Sequence, residues 1–195
     1  MNIEDAIVTI NLPLKGKIFQ HLTNEALFKE LIKFIDYRAV EKLKVRSDHN
    51  TSIINTNIRN VDGYSLCKEK ISDKIYFKHI DKIIAYCYAF YKAKFPLIQT
   101  SNLNQIDLLK YEPTGKFEQH VDHYFGSYRT LTFILNLNEK YEGGDFIFYD
   151  QKDKEIKRVP CKTGTVIFFP SNFLYPHCVK PIKKGTRYSI VGWLV

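Results

Sequence analysis

The chain has 195 residues, 45% hydrophobic and 14% aromatic, enough apolar side chain for one substantial core and little room for a second. Lys and Arg outnumber Asp and Glu by 29 to 21, a net charge of +8 that suits acidic partners without identifying nucleic acid. No run approaches the ~20 apolar residues needed to cross a bilayer. The N-terminal stretch MNIEDAIVTINLPLKGK lacks a secretory pattern, and Cys67, Cys87, Cys161 and Cys178 form no C-x-x-C pair. These features predict a cytoplasmic protein with reduced thiols and no membrane contact.

In chain order, Leu27, Leu31 and Ile35 recur every four positions beside Phe28 and Ile32, which predicts an amphipathic helix from Thr23 to about Arg38. The polar, Asn-rich stretch from Arg46 to Gly63 reads as a long exposed loop with a short strand at Ser52 to Ile58, ending on the turn signal Asp62-Gly63. A second helix is expected from an N-cap at Ser72 to about Lys94, with Ile75, Ile80, Ile83, Ile84, Cys87 and Phe90 on its inner side.

After Pro96 the character changes to short β-rich runs separated by turn residues: QIDLLKYE, FEQHVD, RTLTFILNLN, GGDFIFYD, EIKRV, GTVIFFP, PHCVK and RYSIVGW. That spacing predicts about eight antiparallel strands in a sandwich or barrel. Helices first and strands second make an α+β chain with the helices covering one sheet. A single domain over 1–195 is expected, with 1–95 giving helical support and a substrate-side loop and 96–195 giving the core. Phe133, Phe146, Phe148, Phe168 and Phe169 are expected inside the barrel, and Gly143-Gly144 in a tight turn.

The stretch FEQHVDHYF, residues 117 to 125, concentrates chemistry. Alternation along an extended chain puts His120 and Asp122 on one face and Val121 on the other, while His123 points away and has no assigned role. A His-x-Asp pair alone also fits a hydrogen-bonded surface pair, so a third ligand is required. His177, after the apolar run GTVIFFP, is the best candidate, although alone it equally fits a packed histidine. Two imidazoles and one carboxylate leave coordination positions open, as non-haem Fe(II) needs. Structural zinc would instead close its sphere. A hairpin around Pro181 to Gly185 would pair YPHCVK with TRYSIVGW, placing His177 opposite Arg187 and Ser189 beside Arg187. An arginine directed into an apolar barrel needs an anion, and its planar fork fits a carboxylate. On a strand surface the same arginine would be an ordinary solvated charge.

Taken together, Tyr111-x8-His120-x-Asp122, GGDFIF, GTVIFFP, His177 and Arg187-Tyr-Ser-x-Val-Gly-Trp193 resemble the 2-oxoglutarate and Fe(II)-dependent dioxygenases, particularly the prolyl 4-hydroxylase-like branch, over roughly Asp107 to Val195. The resemblance implies a double-stranded β-helix, an eight-stranded jelly roll with helical support. It implies that His120, Asp122 and His177 are the iron ligands and catalytic centre, and that Arg187 binds the distal carboxylate of 2-oxoglutarate with Tyr111 in contact. Ser189 would be a further donor, and Thr132 and Trp193 would line the co-substrate pocket. Collagen-type prolyl hydroxylases commonly have Lys where this chain has Arg187. The implied cofactors are Fe(II), 2-oxoglutarate and O2, with ascorbate as reductant. The implied reaction is hydroxylation of a prolyl residue in a peptide or protein, with succinate and CO2 as by-products. Other readings remain: an oxygenase for a free amino acid, nucleic acid or other small molecule, or a non-catalytic barrel that binds a partner. No aromatic and basic RNA-recognition motif supports nucleic acid. Tyr124, Phe125 and Tyr128 are expected near the mouth, and Asp48 to Gly63 is expected to order over a peptide.

Overall fold

The computed structural model describes residues 2–14, 25–46, 51–100, 102–124 and 126–195. Its elements are β1 (Val8–Asn11), α1 (Glu25–Arg38), β2 (Glu41–Lys42), β3 (Val45–Arg46), β4 (Ser52–Ile53), β5 (Arg59–Asn60), β6 (Asp62–Ser65), α2 (Ile71–Lys94), β7 (Leu103–Tyr111), β8 (Lys116–His120), β9 (Leu131–Asn136), β10 (Glu142–Gly143), β11 (Phe146–Tyr149), β12 (Glu155–Val159), β13 (Thr165–Pro170), β14 (His177–Val179), β15 (Ile182–Lys184) and β16 (Arg187–Leu194).

Two antiparallel sheets carry the fold: a major one ordered β1-β13-β9-β16-β7-β6-β2 and a minor one ordered β12-β11-β14-β8-β5. They form a double-stranded β-helix, with both helices against the outer face of the major sheet. Strand β9 is buried throughout because it serves two cores. Leu131, Phe133 and Leu135 pack with Phe28, Leu31, Ile35, Ile80 and Ile83 of the helices, whereas Ile134 faces inward with Phe146, Phe148 and Phe169. Burial on both faces is why this strand reads as a nearly continuous apolar run. It also corrects the expectation for the phenylalanines: Phe133 and Phe168 lie on the helix side, not inside the barrel.

Helix α1 buries Phe28, Leu31 and Ile35, with Leu27 and Ile32 half-buried beside them. The expected start at Thr23 lies outside the described residues. Helix α2 begins at Ile71 with Lys70 as N-cap, so Ser72 sits inside the first turn. Ile80, Ile84, Cys87 and Tyr91 share its buried stripe, and Ile75 and Phe90 fall off that stripe and are exposed. Tyr91 donates its hydroxyl to the Ala6 carbonyl at 3.2 Å. No described helix is long and apolar enough to cross a membrane.

The segment expected to be one exposed loop is partly sheet. Arg59–Asn60 extends the minor sheet beside β8, and Asp62–Ser65 extends the major sheet beside β7. Asp62-Gly63 is therefore strand rather than turn. A Cβ at Gly63 would lie 2.3 Å from Leu43 Cδ1, so glycine there permits close packing. The strand expected over Ser52 to Ile58 shrinks to β4, paired with β3. Residues 47–50 lie outside the described set.

The expected hairpin between the strands of His177 and Arg187 does not exist. Strand β14 lies in the minor sheet between β11 and β8, and β16 lies in the major sheet between β7 and β9. The intervening β15 pairs with β10, so the chain crosses from one sheet to the other. Gly143 and Gly144 have φ of 79° and 68°, as a glycine turn requires. A Cβ at Gly144 would come within 2.4 Å of Ile182 Cδ1 and 3.3 Å of Arg187 Cδ.

Candidate active site

His120 and His177 are cross-strand partners in β8 and β14, and Asp122 follows two residues after β8 ends. Pairing within the minor sheet therefore brings the three together. His120 Nε2 lies 3.7 Å from Asp122 Oδ1, and His177 Nε2 lies 3.8 Å from Asp122 Oδ2. These separations are too long for hydrogen bonds, and one ligand atom from each residue lies within 4.8 Å of the others.

The backbone fixes both imidazole tautomers. His120 Nδ1 lies 2.8 Å from the Glu118 carbonyl, and His177 Nδ1 lies 2.9 Å from the Tyr175 carbonyl. A carbonyl only accepts, so each Nδ1 carries the proton and each Nε2 presents its lone pair toward Asp122. Phe117 stacks on His120 with ring centres 3.6 Å apart, and Phe169 and Phe146 pack against His177. Burial, reinforced by the neighbouring His177, holds His120 far below the usual imidazole value and keeps it neutral. Burial disfavours charge on Asp122, but His177, His120 and Thr132 outweigh it and hold the carboxyl below its usual value. Neutral imidazoles with an ionised carboxylate are the state that binds a divalent cation, so the donor set fits Fe(II).

Thr132 has a different place from the one expected. It is fully buried and does not line the cavity. Its Oγ1 donates to Asp122 Oδ2 at 2.7 Å and lies 2.9 Å from Ser171 Oγ, a two-hydroxyl chain that orients the carboxylate.

Across the cavity, β16 pairs with β7 and sets Arg187 opposite Tyr111. Arg187 is 1% exposed. Its Nη1 donates to Ser189 Oγ at 3.2 Å and its Nη2 to Asn136 Oδ1 at 2.9 Å, while the guanidinium carbon lies 5.1 Å from the Tyr111 ring centre. Burial pushes the guanidinium down, but the Cys161 thiol and the Tyr141 and Tyr111 hydroxyls more than reverse this, so it stays charged. Burial raises Tyr111, which stays a protonated donor. Among the described residues, four buried polar atoms here have no partner: Arg187 Nε, Asn136 Nδ2, Tyr141 Oη and Trp193 Nε1. A buried cation amid unsatisfied donors fits an acidic ligand.

These groups share one cavity of about 510 Å³, whose wall includes the His-Asp-His cluster, Tyr111, Arg187, Ser189 and Trp193. Arg129, unnoticed in the sequence, also lines it. Its guanidinium lies 3.5 Å from the Trp193 ring centre and donates to the Asp122 carbonyl at 3.1 Å. Tyr124 reaches the cavity wall, but Tyr128 is 84% exposed and does not, and Phe125 lies outside the described residues. His123 bonds through its amide to the Ser171 carbonyl and is exposed away from the cluster.

Comparison with known proteins agrees with this geometry. Residues 106–195 match the family model for the 2OG-Fe(II) oxygenase superfamily. That stretch is a little under half of the chain. A PKHD-type hydroxylase of Crocosphaera subtropica is 30% identical over 104 residues, 50% of this chain and 45% of the relative. Another, of Prochlorococcus marinus, is 28% identical over 184 residues, 89% of this chain and 76% of the relative. The match thus spans less than half of the first relative and about three quarters of the second. Among solved oxygenase structures, a Pseudomonas putida prolyl-4-hydroxylase superposes with a TM-score of 0.69 at 17% identity, covering 97% of this chain and 92% of that one. A Trichoplax adhaerens prolyl hydroxylase in complex with a hypoxia inducible factor peptide fragment gives 0.69 at 17%, covering 97% and 83%. These likenesses show the fold.

Proposed function

We propose that the chain, working as one domain over 1–195, is an Fe(II)- and 2-oxoglutarate-dependent hydroxylase acting on a prolyl residue of a peptide or protein. One observation carries the reading: a His-Asp-His cluster with both Nε2 lone pairs presented inward shares its cavity with a buried arginine whose Nε is unpartnered. The PKHD-type hydroxylase and prolyl hydroxylase relatives support the substrate class.

In this reading His120, Asp122 and His177 hold Fe(II). Arg187, aided by Ser189 and Tyr111, receives the distal carboxylate of 2-oxoglutarate beside Trp193. Iron so bound would supply O2 activation, in which one oxygen atom enters the substrate C–H bond and the other enters succinate as 2-oxoglutarate loses CO2; 2-oxoglutarate and the C–H bond supply all four electrons, and ascorbate would serve only to return oxidised iron to Fe(II). The chain supplies geometry. The Glu118 and Tyr175 carbonyls hold the imidazoles, the Thr132 hydroxyl holds the carboxylate, and Arg187 fixes the co-substrate's orientation before reaction. Phe117, Phe146 and Phe169 keep water from the imidazoles.

Anaerobically iron-loaded protein, given 2-oxoglutarate, air and a library of proline-containing peptides, should form succinate together with a peptide that gains one oxygen atom by mass spectrometry. Succinate without any oxygenated peptide, or oxygen added only to a free amino acid or oligonucleotide, would replace the peptide substrate.

A further inference from the structure

The described arginine side chains fall into two groups. Away from the cavity, Arg38 pairs with Asp73 at 2.9 Å, and Arg158 pairs with Glu155 at 2.8 Å and with Asp145. Arg59, Arg129 and Arg187 line the cavity, and among the described residues none of the three has a carboxylate within ion-pair distance. For Arg187 the missing anion is the distal carboxylate of 2-oxoglutarate in the function proposed above. The same reasoning applied to the other two leaves an anion to be found.

Arg59 stands on β5, in register with Phe117 of β8. Its guanidinium carbon lies 4.7 Å from the Phe117 ring centre, and Phe117 stacks in turn on His120, so one ring separates this charge from the His-Asp-His cluster. Nη1 donates to the Lys44 carbonyl at 3.1 Å, while Nε is buried with no partner among the described residues. Arg129 lies flat on Trp193, and Lys44 lines the same cavity.

The acidic side chains of the wall are already committed. Asp107 accepts from Ser65 Oγ at 2.7 Å and from Gln105 Nε2 at 2.8 Å, and Asp122 belongs to the cluster. Four cations therefore face two carboxylates, and a bound divalent metal with a dianionic co-substrate would leave that excess unchanged. A cationic, partly desolvated mouth favours a ligand that brings negative charge.

We infer that the mouth of the cavity binds a carboxylate of the substrate, with Arg59 as the receiving fork and Arg129 and Lys44 as supporting charge. The preferred peptide then carries Asp or Glu close to the hydroxylated residue. This rests on the peptide-hydroxylase reading and narrows it.

The test uses labelled proline-containing peptides in matched pairs, Asp and Glu against Asn and Gln, binding to protein loaded with Mn(II) and 2-oxoglutarate. Fluorescence anisotropy at low and high salt reads the affinities. Acidic peptides should bind about 10- to 100-fold more tightly than their amide twins, and added salt should shrink the difference. Arg59→Gln should erase it and Arg59→Lys should retain part of it. Equal binding of both twins to the wild-type protein overturns the inference, whether or not the variants fold, and leaves the peptide reading standing. An Arg59→Gln protein that needs more 2-oxoglutarate yet keeps the acidic preference also overturns it, by assigning Arg59 to the co-substrate. Binding and oxygenation of no peptide at all would remove both proposals together.

Discussion

Two buried carboxylates, one in each half of the molecule, show how burial of the same group can serve stability or chemistry. Asp73 is fully buried at the junction of α1, β6 and α2. It accepts from the Cys67 amide at 3.0 Å, Tyr64 Oη at 2.7 Å, Arg38 Nη2 at 2.9 Å and Ser72 Oγ at 2.9 Å. Asp122 is 8% exposed and has one side-chain donor, Thr132, while its remaining lone pairs face two imidazole nitrogens that are also acceptors. The first carboxylate is saturated and ties elements together. The second is held but left unsaturated, which suits it to a cation. The described arginine side chains divide in the same manner: among the described residues, those in the framework have carboxylate partners and those in the cavity do not.

The comparison can be broken at either end. The largest effect is expected from His120→Ala or Asp122→Ala, which should abolish Fe(II) binding with little loss of stability. Unchanged metal stoichiometry in both variants would show the ligands to be elsewhere. Asp73→Ala should do the reverse, costing about 3–5 kcal/mol in urea unfolding by stranding Arg38 and the Cys67 amide, while folded protein keeps its metal. The same carboxylate sets a pH dependence. Burial pushes its carboxyl up, but the Cys67 amide, Tyr64, Arg38 and Ser72 outweigh this and hold it at about 2. Because the folded value lies below the unfolded one, near 4, its contribution is complete above pH ~4 and is lost as pH falls toward ~2. Unfolding measured at successive pH values should show a smaller acid loss in Asp73→Ala than in the wild-type protein, the remainder coming from other carboxylates such as Asp122.

Arg187→Ala should leave metal binding intact and remove about 2–5 kcal/mol of co-substrate binding, so that the 2-oxoglutarate requirement rises at least ~30-fold. Arg187→Lys should be milder, since it keeps the charge and loses the fork. The smallest effect is expected at Thr132. Thr132→Val should weaken metal affinity about 10- to 100-fold by freeing the Asp122 carboxylate, and Thr132→Ser should restore it. Failure of serine to rescue would make Thr132 a packing residue only.

Much of this was legible in the sequence, because the signals are periodic or chemical. The eight β-rich runs after Pro96 correspond to strands β7, β8, β9, β11, β12, β13, β14 and β16, the long buried ones such as β9, β13 and β16 declaring themselves through apolar content. The convergence of His120, Asp122 and His177 is legible too, because alternation sets the first two on one face and a closed sheet brings the third beside them, but the pairing expected between His177 and Arg187 is not. A hairpin there would require successive strands to pair, whereas the chain changes sheets between β14 and β16, and only tertiary packing decides that. Two-residue strands such as Arg59–Asn60 have no period to detect. Asn136 and Arg129 look ordinary until the inward face of β9 and the approach to Trp193 are known. Thr132 was placed near the right site in the wrong role, because an inward-facing hydroxyl does not announce whether it meets a ligand or a neighbouring carboxylate.

The two contacts that fix the imidazoles use main-chain oxygens, from Glu118 and Tyr175. Every residue type carries the same carbonyl, so the proton arrangement of the site is insulated from mutation at the positions that enforce it. Glu118 is exposed and its side chain pairs only with Lys116 among the described residues. Drift there can proceed freely under selection for an active site. What drift cannot survive is a shift of the strand path itself, so constraint falls on insertions and deletions around β8 and β14 far more than on the identity of Glu118, while Tyr175 is held by its place in the core besides.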